Sequence, residues 1–478
     1  MRKMAMAWLC AGLVLWPLLS GPGTTGLQAE GTPFHPSRAS FPRSDDRWIY
    51  DSLLASWTPI VPSVANNARS GMARERALAG DLPISMAAGW QMEPTVVWNS
   101  ARDEFLVVWE DFRNGGDRDI YGQRMLGDGH LAGDNFAVVI GEHDQTDPGL
   151  LYNSTDGGYL LLWHLLQQGN YRVFCQRLSA AGTPLGSPAQ IPSPQGRQQW
   201  IPGGAYNSVR NEYLVVWEDV SSAEIVGQRM AGSGEALGGS IIVSGRPQPQ
   251  WTPPFVTFNP VWDEYLVVWD DLQNCDVFGQ IVTADGEIRG ENVAITTAPG
   301  RQFASDVIYN EARDEYLVVW TDERNLDAQG SDVYCQRVSG GGLLLGEEQA
   351  VSGAPGWQQD CVGRYDSSHE EYVLVWWDGR ERDTANDVYG QRVSANGPLL
   401  GSNFALSAGS RDQVYPSLAR TMNRDQYAVV WQEWYAADDL TMESDIVGML
   451  FSPLRFTVRL PWVPRAWLQD DLALSRGR

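Results

Sequence analysis

The stretch Arg313–Asp322, RDEYLVVWTD, decides the fold, because near-copies of it return along almost the whole chain. RDEFLVVWED ends at Asp111, RNEYLVVWED at Asp219, WDEYLVVWDD at Asp271 and EEYVLVWWD at Asp378, with looser versions around Trp163 and Trp431. Counting outward from Trp320, the register tryptophans are Trp109, Trp163, Trp217, Trp269, Trp320, Trp376 and Trp431, with separations of 54, 54, 52, 51, 56 and 55. Such a period belongs to propeller blades rather than to short-period solenoids. A second landmark keeps the same register. Gln91, Gln145, Gln199, Gln250, Gln302, Gln358 and Gln413 each precede their tryptophan by 18 residues, or 19 in the fourth copy.

Each copy reads as four strands. The first runs from the glutamine towards an Asn, as in PTVVWN ending at Asn99 and VIYN ending at Asn310. The second, EYLVVW, is β-branched and aromatic and apolar on both faces, so both faces need cover. A polar loop leads to a third strand such as DIYGQRM (Asp119 to Met125) or DVYGQRV (Asp387 to Val393). A glycine turn, as at Gly286 or Gly397, then starts the fourth. The seventh copy stops after DIVGML at Leu450 without that fourth strand, whereas GDLPISMAAGW (Gly80 to Trp90) precedes the first full copy and matches it. Gly80 lies 11 residues before Gln91, and Gly401 lies 12 before Gln413. The prediction is an all-β, seven-bladed propeller of four-stranded antiparallel blades. An N-terminal strand completes the last blade and removes both free edges.

The domain reading is a signal peptide over 1–29, an extension or linker over 30–79, the propeller over 80–450 and a tail over 451–478. Arg2 and Lys3 precede an apolar run from Met4 to Ser20 and a small-residue region ending at Ala29, the pattern of an export signal, short and broken by Pro17. The expected location is therefore secreted or on the outside of the cell envelope, with no membrane span after cleavage. The chain carries a net charge of −24, and −26 without the signal. Such a surface repels nucleic acid and anionic membranes. The one lysine is Lys3, so the mature chain cannot use a P-loop, a Schiff base or a Ser–Lys dyad. Of the mature cysteines, Cys175 and Cys335 fill the glycine slot of DIYGQR in blades 2 and 5, too far apart to pair. Cys335 and Cys361 lie in neighbouring blades, where either a bridge or buried free thiols fit, and Cys275 precedes the third strand of blade 4.

The repeat resembles that of secreted bacterial propellers with VVW-x-D and DIYGQR motifs, an architecture shared with WD-repeat and kelch proteins. The tail's FTVRLPWVPR (Phe456 to Arg465) resembles an LPLVLR-like C-terminal signature of some secreted bacterial proteins. The sialidase Asp-box is absent. The resemblance implies the fold and attaches no activity, since propellers host many functions.

An up-down meander places the fourth-to-first and second-to-third loops on one face, here the upper face. The latter loops vary: from tryptophan to the third strand's Asp slot the gaps are 10, 9, 7, 7, 12, 11 and 14. Variable loops on a rigid scaffold are where binding resides. The glutamines, present in every blade, read as structural. Asp111 with Asp119, Asp322 with Asp332 and Asp378 with Asp387 read either as turn caps paired with the arginines of QR, or as a calcium site, calcium being the one cofactor considered. Blade 2 departs from symmetry: Leu165 replaces the W-x-D aspartate, and His143 and His164 share its upper end, candidates for metal binding or proton transfer. Trp200, Trp251 and Phe303 follow the glutamine in three consecutive blades, while Trp90 and Trp357 precede theirs. Amphipathic rings there suit a sugar or a partner's side chains, or else wedge between blades. The expected function is a non-catalytic binding or scaffold module, acting as a monomer, that recognises a glycan or an extracellular protein through the upper face. The rivals are a carbohydrate-active hydrolase or lyase using upper-face carboxylates, and a structural module of the cell envelope.

Overall fold

The computed structural model describes residues 81–453, except 168, 195–196, 246–251, 272–274, 381–384, 423 and 437–441. The expected signal peptide and extension, all but the first residues of the expected tail, Gln250 and Trp251 lie outside the described residues. Among those described, twenty-eight strands form seven four-stranded antiparallel sheets. Blade 1 is Gln91–Asn99, Glu104–Asp111, Asp119–Leu126 and Leu131–Val139, in that order from the inside outward, and blades 2 to 6 repeat it. The inner strands contact one another from blade to blade around the ring, including the inner strands of blades 7 and 1. No helix among the described residues is long and apolar enough to cross a membrane.

The second strands explain the assembly. Phe105, Val107 and Trp109 join a core cluster with Ala428 and Val430 of blade 7, whereas Leu106 and Val108 join one with Leu161 and Trp163 of blade 2. Alternate residues of one strand thus serve alternate seams, which is why EYLVVW has no polar face. Each fully buried side chain of this size contributes roughly 1.5–3 kcal/mol by burial.

The ring closes as expected. Leu82–Ser85 pairs antiparallel with Met442–Phe451, placing Leu82 opposite Gly448 and Pro83 opposite Val447. This strand is the outermost of blade 7, and Ile84 is buried in the blade 7–blade 1 cluster.

Two recurring polar devices hold the lower face. The asparagine ending an inner strand caps its own turn and reaches the next blade. Asn99 Nδ2 donates to Tyr159 Oη at 2.9 Å, Asn153 to Tyr213 at 3.0 Å and Asn310 to Tyr372 at 3.1 Å. The arginine of QR binds the glutamate that opens the second strand: Arg124 with Glu104 and Arg229 with Glu212 at 2.7 Å, Arg337 with Glu315 and Arg392 with Glu371 at 2.5 Å. This differs from the expected pairing of these arginines with the upper-face aspartates. The aspartates sit at the far end of the second strand, out of reach of the QR arginine beside its start.

Candidate functional site

At the upper end the W-x-D aspartate ties its blade together. Trp109 Nε1 donates to Asp111 Oδ2 at 2.7 Å, and Trp320 and Trp376 bind Asp322 and Asp378 in the same way at 2.8 Å. The arginine two residues on, Arg113, Arg324 or Arg380, donates to both oxygens of its aspartate. Of their loop partners, Asp119 accepts from Asn114 at 2.6 Å, Asp332 from Asn325 at 3.2 Å, and Asp387 from the Gly409 N–H at 2.9 Å. These pairs are not among the described groups that converge closely enough to share an ion. The described landmark glutamines are buried, and two of them bond the preceding blade: Gln199 Oε1 accepts from Val173 N–H and Gln413 Oε1 from Val388 N–H, at 3.3 and 3.2 Å.

The middle residue of W-x-D points the other way from the tryptophan and is free to vary: Glu110, His164, Glu218, Asp270, Thr321, Trp377 and Gln432. In the six blades where it is described, the residue after the glutamine lies opposite it, as Met92 opposite Glu110, Thr146 opposite His164 and Phe303 opposite Thr321. One residue further on the inner strand bulges. Glu93 and Asp147 take left-handed backbone there, with φ of 49° and 51°. Such conformations cost a non-glycine residue of order 1 kcal/mol and are held by their surroundings.

Where blades 1 and 2 meet, these positions gather ionisable groups. Carboxylate oxygens of Glu93, Glu110 and Asp147 lie within 4.8 Å of one another, Glu110 buried and the other two partly exposed. Glu110 accepts from the Asp147 N–H at 2.7 Å and from Arg118 at 3.4 Å. His164 Nδ1 lies 3.4 Å from Asp147 Oδ2, and its ring nitrogens face Thr146 Oγ1 at 3.1 and 3.4 Å. Burial pushes the Glu110 carboxyl up to about 7; Arg118 pulls it down and the charge of Asp147 pushes it further up. Asp144 meets Arg118 from the loop, donating nothing and accepting its N–H and guanidinium at 2.8 and 2.9 Å. Burial works against its charge, but Arg118 outweighs that and holds the carboxyl low. The same Arg118 lies over the Phe112 ring at 5.8 Å. Phe112 packs edge-on against Trp90 at 5.4 Å, and Trp90 against Trp434 at 5.9 Å.

The residues singled out from sequence are distributed as follows. His164 belongs to this centre. His143 is exposed and borders a cleft of about 240 Å3 with Trp163 and Leu165, on the opposite face of the strand that carries His164, so the two histidines are not brought together. Phe303 is 5% exposed with Arg301 5.5 Å from its ring, which leaves it a wedge's surroundings. Trp200 is partly exposed and lies opposite Glu218. Trp90 is fixed in the aromatic cluster, its Nε1 donating to Met442 O at 2.7 Å, while Trp357 is 37% exposed. Cys175, Cys335 and Cys361 are buried free thiols, and Cys275 is free and partly exposed. Glu93, Glu110, Arg118 and Asp147 were not singled out. The variable residue of W-x-D marked Glu110, but nothing in the alternation of an inner strand announces the bulge that brings Glu93 and Asp147 to it.

No family model matches the chain, and no curated protein matches it. Among solved structures, it is similar to a protein of unknown function from Dyadobacter fermentans at 12% identity, covering 78% of this chain and 98% of that one with a TM-score of 0.48. It is similar to the intramolecular trans-sialidase of Ruminococcus gnavus at 8% identity, covering 78% and 96% with a TM-score of 0.45. It is similar to an α-L-arabinofuranosidase of Fusarium graminearum at 11% identity, covering 66% and 94% with a TM-score of 0.44. At these values none of the three carries an argument about chemistry.

Proposed function

We propose that the protein is an exported, non-catalytic binding propeller that recognises a glycan through its upper face, anchored where blades 1 and 2 meet. One observation carries the reading. Glu93, Glu110, Asp147 and His164 converge at that seam, and the ring does not need them, since other blades place Thr321, Trp377 or Gln432 at the position of Glu110 and His164. Carboxylates, an imidazole and Arg118 offer both donors and acceptors to sugar hydroxyls, and the Trp90–Phe112–Trp434 rings supply an apolar wall beside them. A glycan array probed with the mature protein tests the reading. Binding to a defined glycan class, lost in Asp147→Asn with an unchanged melting temperature, is the expected result. A mature protein that binds no glycan, or an Asp147→Asn variant that binds as before, argues against it.

The Glu110 carboxyl at about 7 favours a second reading, a glycan hydrolase in which Glu110 is the proton donor and a neighbouring carboxylate acts beside it. Turnover of the bound glycan, abolished in Glu110→Gln, would decide for it.

A further inference from the structure

In blades 1, 5 and 6 an ion pair closes the upper end of the blade over two rings. The register tryptophan donates its Nε1–H to the W-x-D aspartate at 2.7–2.8 Å. Arg113, Arg324 or Arg380 grips that aspartate through Nε and Nη2 at 2.6–2.9 Å. Its guanidinium lies on the third-strand tyrosine, 4.0 Å from the centre of Tyr121, 4.1 Å from Tyr334 and 3.9 Å from Tyr389. The two aromatic side chains stack on each other, Trp320 on Tyr334 at 6.1 Å and 25°. A carboxylate on the indole N–H and a flat group on the neighbouring ring are thus both supplied by the blade itself.

Blade 2 keeps the two rings and lacks both of those groups. Trp163 stacks on Phe174 at 5.8 Å and 20°, so its indole is set as in the other blades. Leu165 stands where the aspartate would be, and the exposed Gln167 where the arginine would be. Trp163 is 1% exposed, and among the described residues its Nε1 has no hydrogen-bond partner. A buried donor in that state is costly and calls for an acceptor. Trp163 and Leu165 both line a cavity of about 240 Å3, whose other walls include Ile140, Phe174 and Pro188. Trp217 and Trp431 share the unpartnered N–H, but there Asp219 and Glu433 still hold the position two residues on, bound by Arg197 at 2.9 Å and Arg411 at 2.8 Å. Blade 2 alone has no carboxylate at that position. The local charge is reversed as well. Opposite the W-x-D aspartate, blades 1, 5 and 6 place a second one, Asp119, Asp332 or Asp387, whereas Arg172 stands opposite Leu165. Cross-strand partners share a face, so Arg172 rises on the side that Trp163 and Leu165 occupy. Glu142 and His143 stand side by side on the rim, both exposed, where solvent screens the carboxylate.

We propose that the blade 2 cavity binds a small aromatic carboxylate. The carboxylate takes the place of the missing aspartate on Trp163 Nε1, and the aryl ring takes the place of the guanidinium on Phe174. Ile140, Leu165 and Pro188 give the ring apolar walls, and Arg172 favours an anion over a neutral or cationic ligand. The cavity lies on the opposite face of the second strand from His164, so the site is independent of the glycan reading.

The test uses the full mature chain and four probes at matched ionic strength: benzoate, benzamide, benzylamine and acetate. Benzoate should raise the melting temperature at about millimolar concentration, since a ligand of the folded state alone stabilises it. Benzamide keeps the ring and an acceptor without the charge, and should bind about tenfold or more weakly. Acetate lacks the ring and benzylamine reverses the charge, so neither should shift the melt. Leu165→Asn offers Trp163 a side-chain oxygen from within the chain and should weaken benzoate binding about tenfold or more. Ile140→Trp, at an exposed position that leaves the core untouched, should abolish the response by blocking the cavity. No shift with benzoate, an equal shift from any other probe, or a full benzoate response retained in Ile140→Trp would overturn the proposal.

Discussion

At the scale of single residues, the chain separates positions that the ring requires from positions it leaves free. The third-strand glycine slot shows the first kind: Gly122 and Gly390 pair with the aromatic rings of Phe136 and Phe404, whereas Cys175 pairs with Ala189 and Cys335 with Gln349, so the larger residue stands where its partner is not an aromatic ring. The cysteines are packing choices, and burial pushes the Cys175 thiol up to about 11 and the Cys335 thiol up to about 12. Phe303 belongs with them. Because its ring is buried, Phe303→Ala should cost about 3–5 kcal/mol in a thermal or denaturant melt and leave glycan binding unchanged. Weaker binding with full stability would return Phe303 to the ligand face. Glu110 shows the second kind. Its place in W-x-D was readable, but its elevated carboxyl was not, because that depends on Asp147 and Arg118 reaching it across a seam.

At the scale of elements, almost everything was legible, because a strand buried on both faces announces itself by its lack of polar alternation and because seven copies average out local irregularity. The closing strand was readable for the same reason: a half-repeat before the first copy answers a missing half-repeat after the last. What could not be read was the pairing of polar groups, since Arg124 chooses Glu104 over Asp111 by strand register, which the spacing alone does not fix. Closure makes a direct prediction. Deleting residues 30–88 removes Leu82–Ser85 and bares the edge of Met442–Phe451, so the product should aggregate or melt far below the parent protein. The milder Ile84→Ala should cost about 2–5 kcal/mol by emptying its place in the blade 7–blade 1 cluster. A deletion variant that melts like the parent would contradict the closure.

At the scale of the whole molecule, the titrating groups set a direction for stability. Burial raises the carboxyls of Glu110 and Glu264 to about 7, Arg289 opposing this at Glu264, and a hydrogen bond to Asp366 raises His369. Each binds its proton more tightly when folded, so its contribution is complete below its unfolded value and is lost as pH rises through the folded one. On the acid side, Asp366 resists the effect of burial through His369 and Arg420 and is held low, so its contribution fades only as pH falls through that depressed value. The melting temperature should therefore be higher at about pH 5 than at about pH 8, and a scan that rises steadily towards alkaline pH would count against these assignments. The same carboxyl offers the most direct test of the proposed site. Affinity for the strongest array glycan should be measured by calorimetry across neutral pH for the parent protein and Glu110→Gln. The account predicts an affinity that changes with a midpoint near the Glu110 value of about 7 in the parent and is flat in the variant. A flat profile in the parent, or the same midpoint in both proteins, would contradict it.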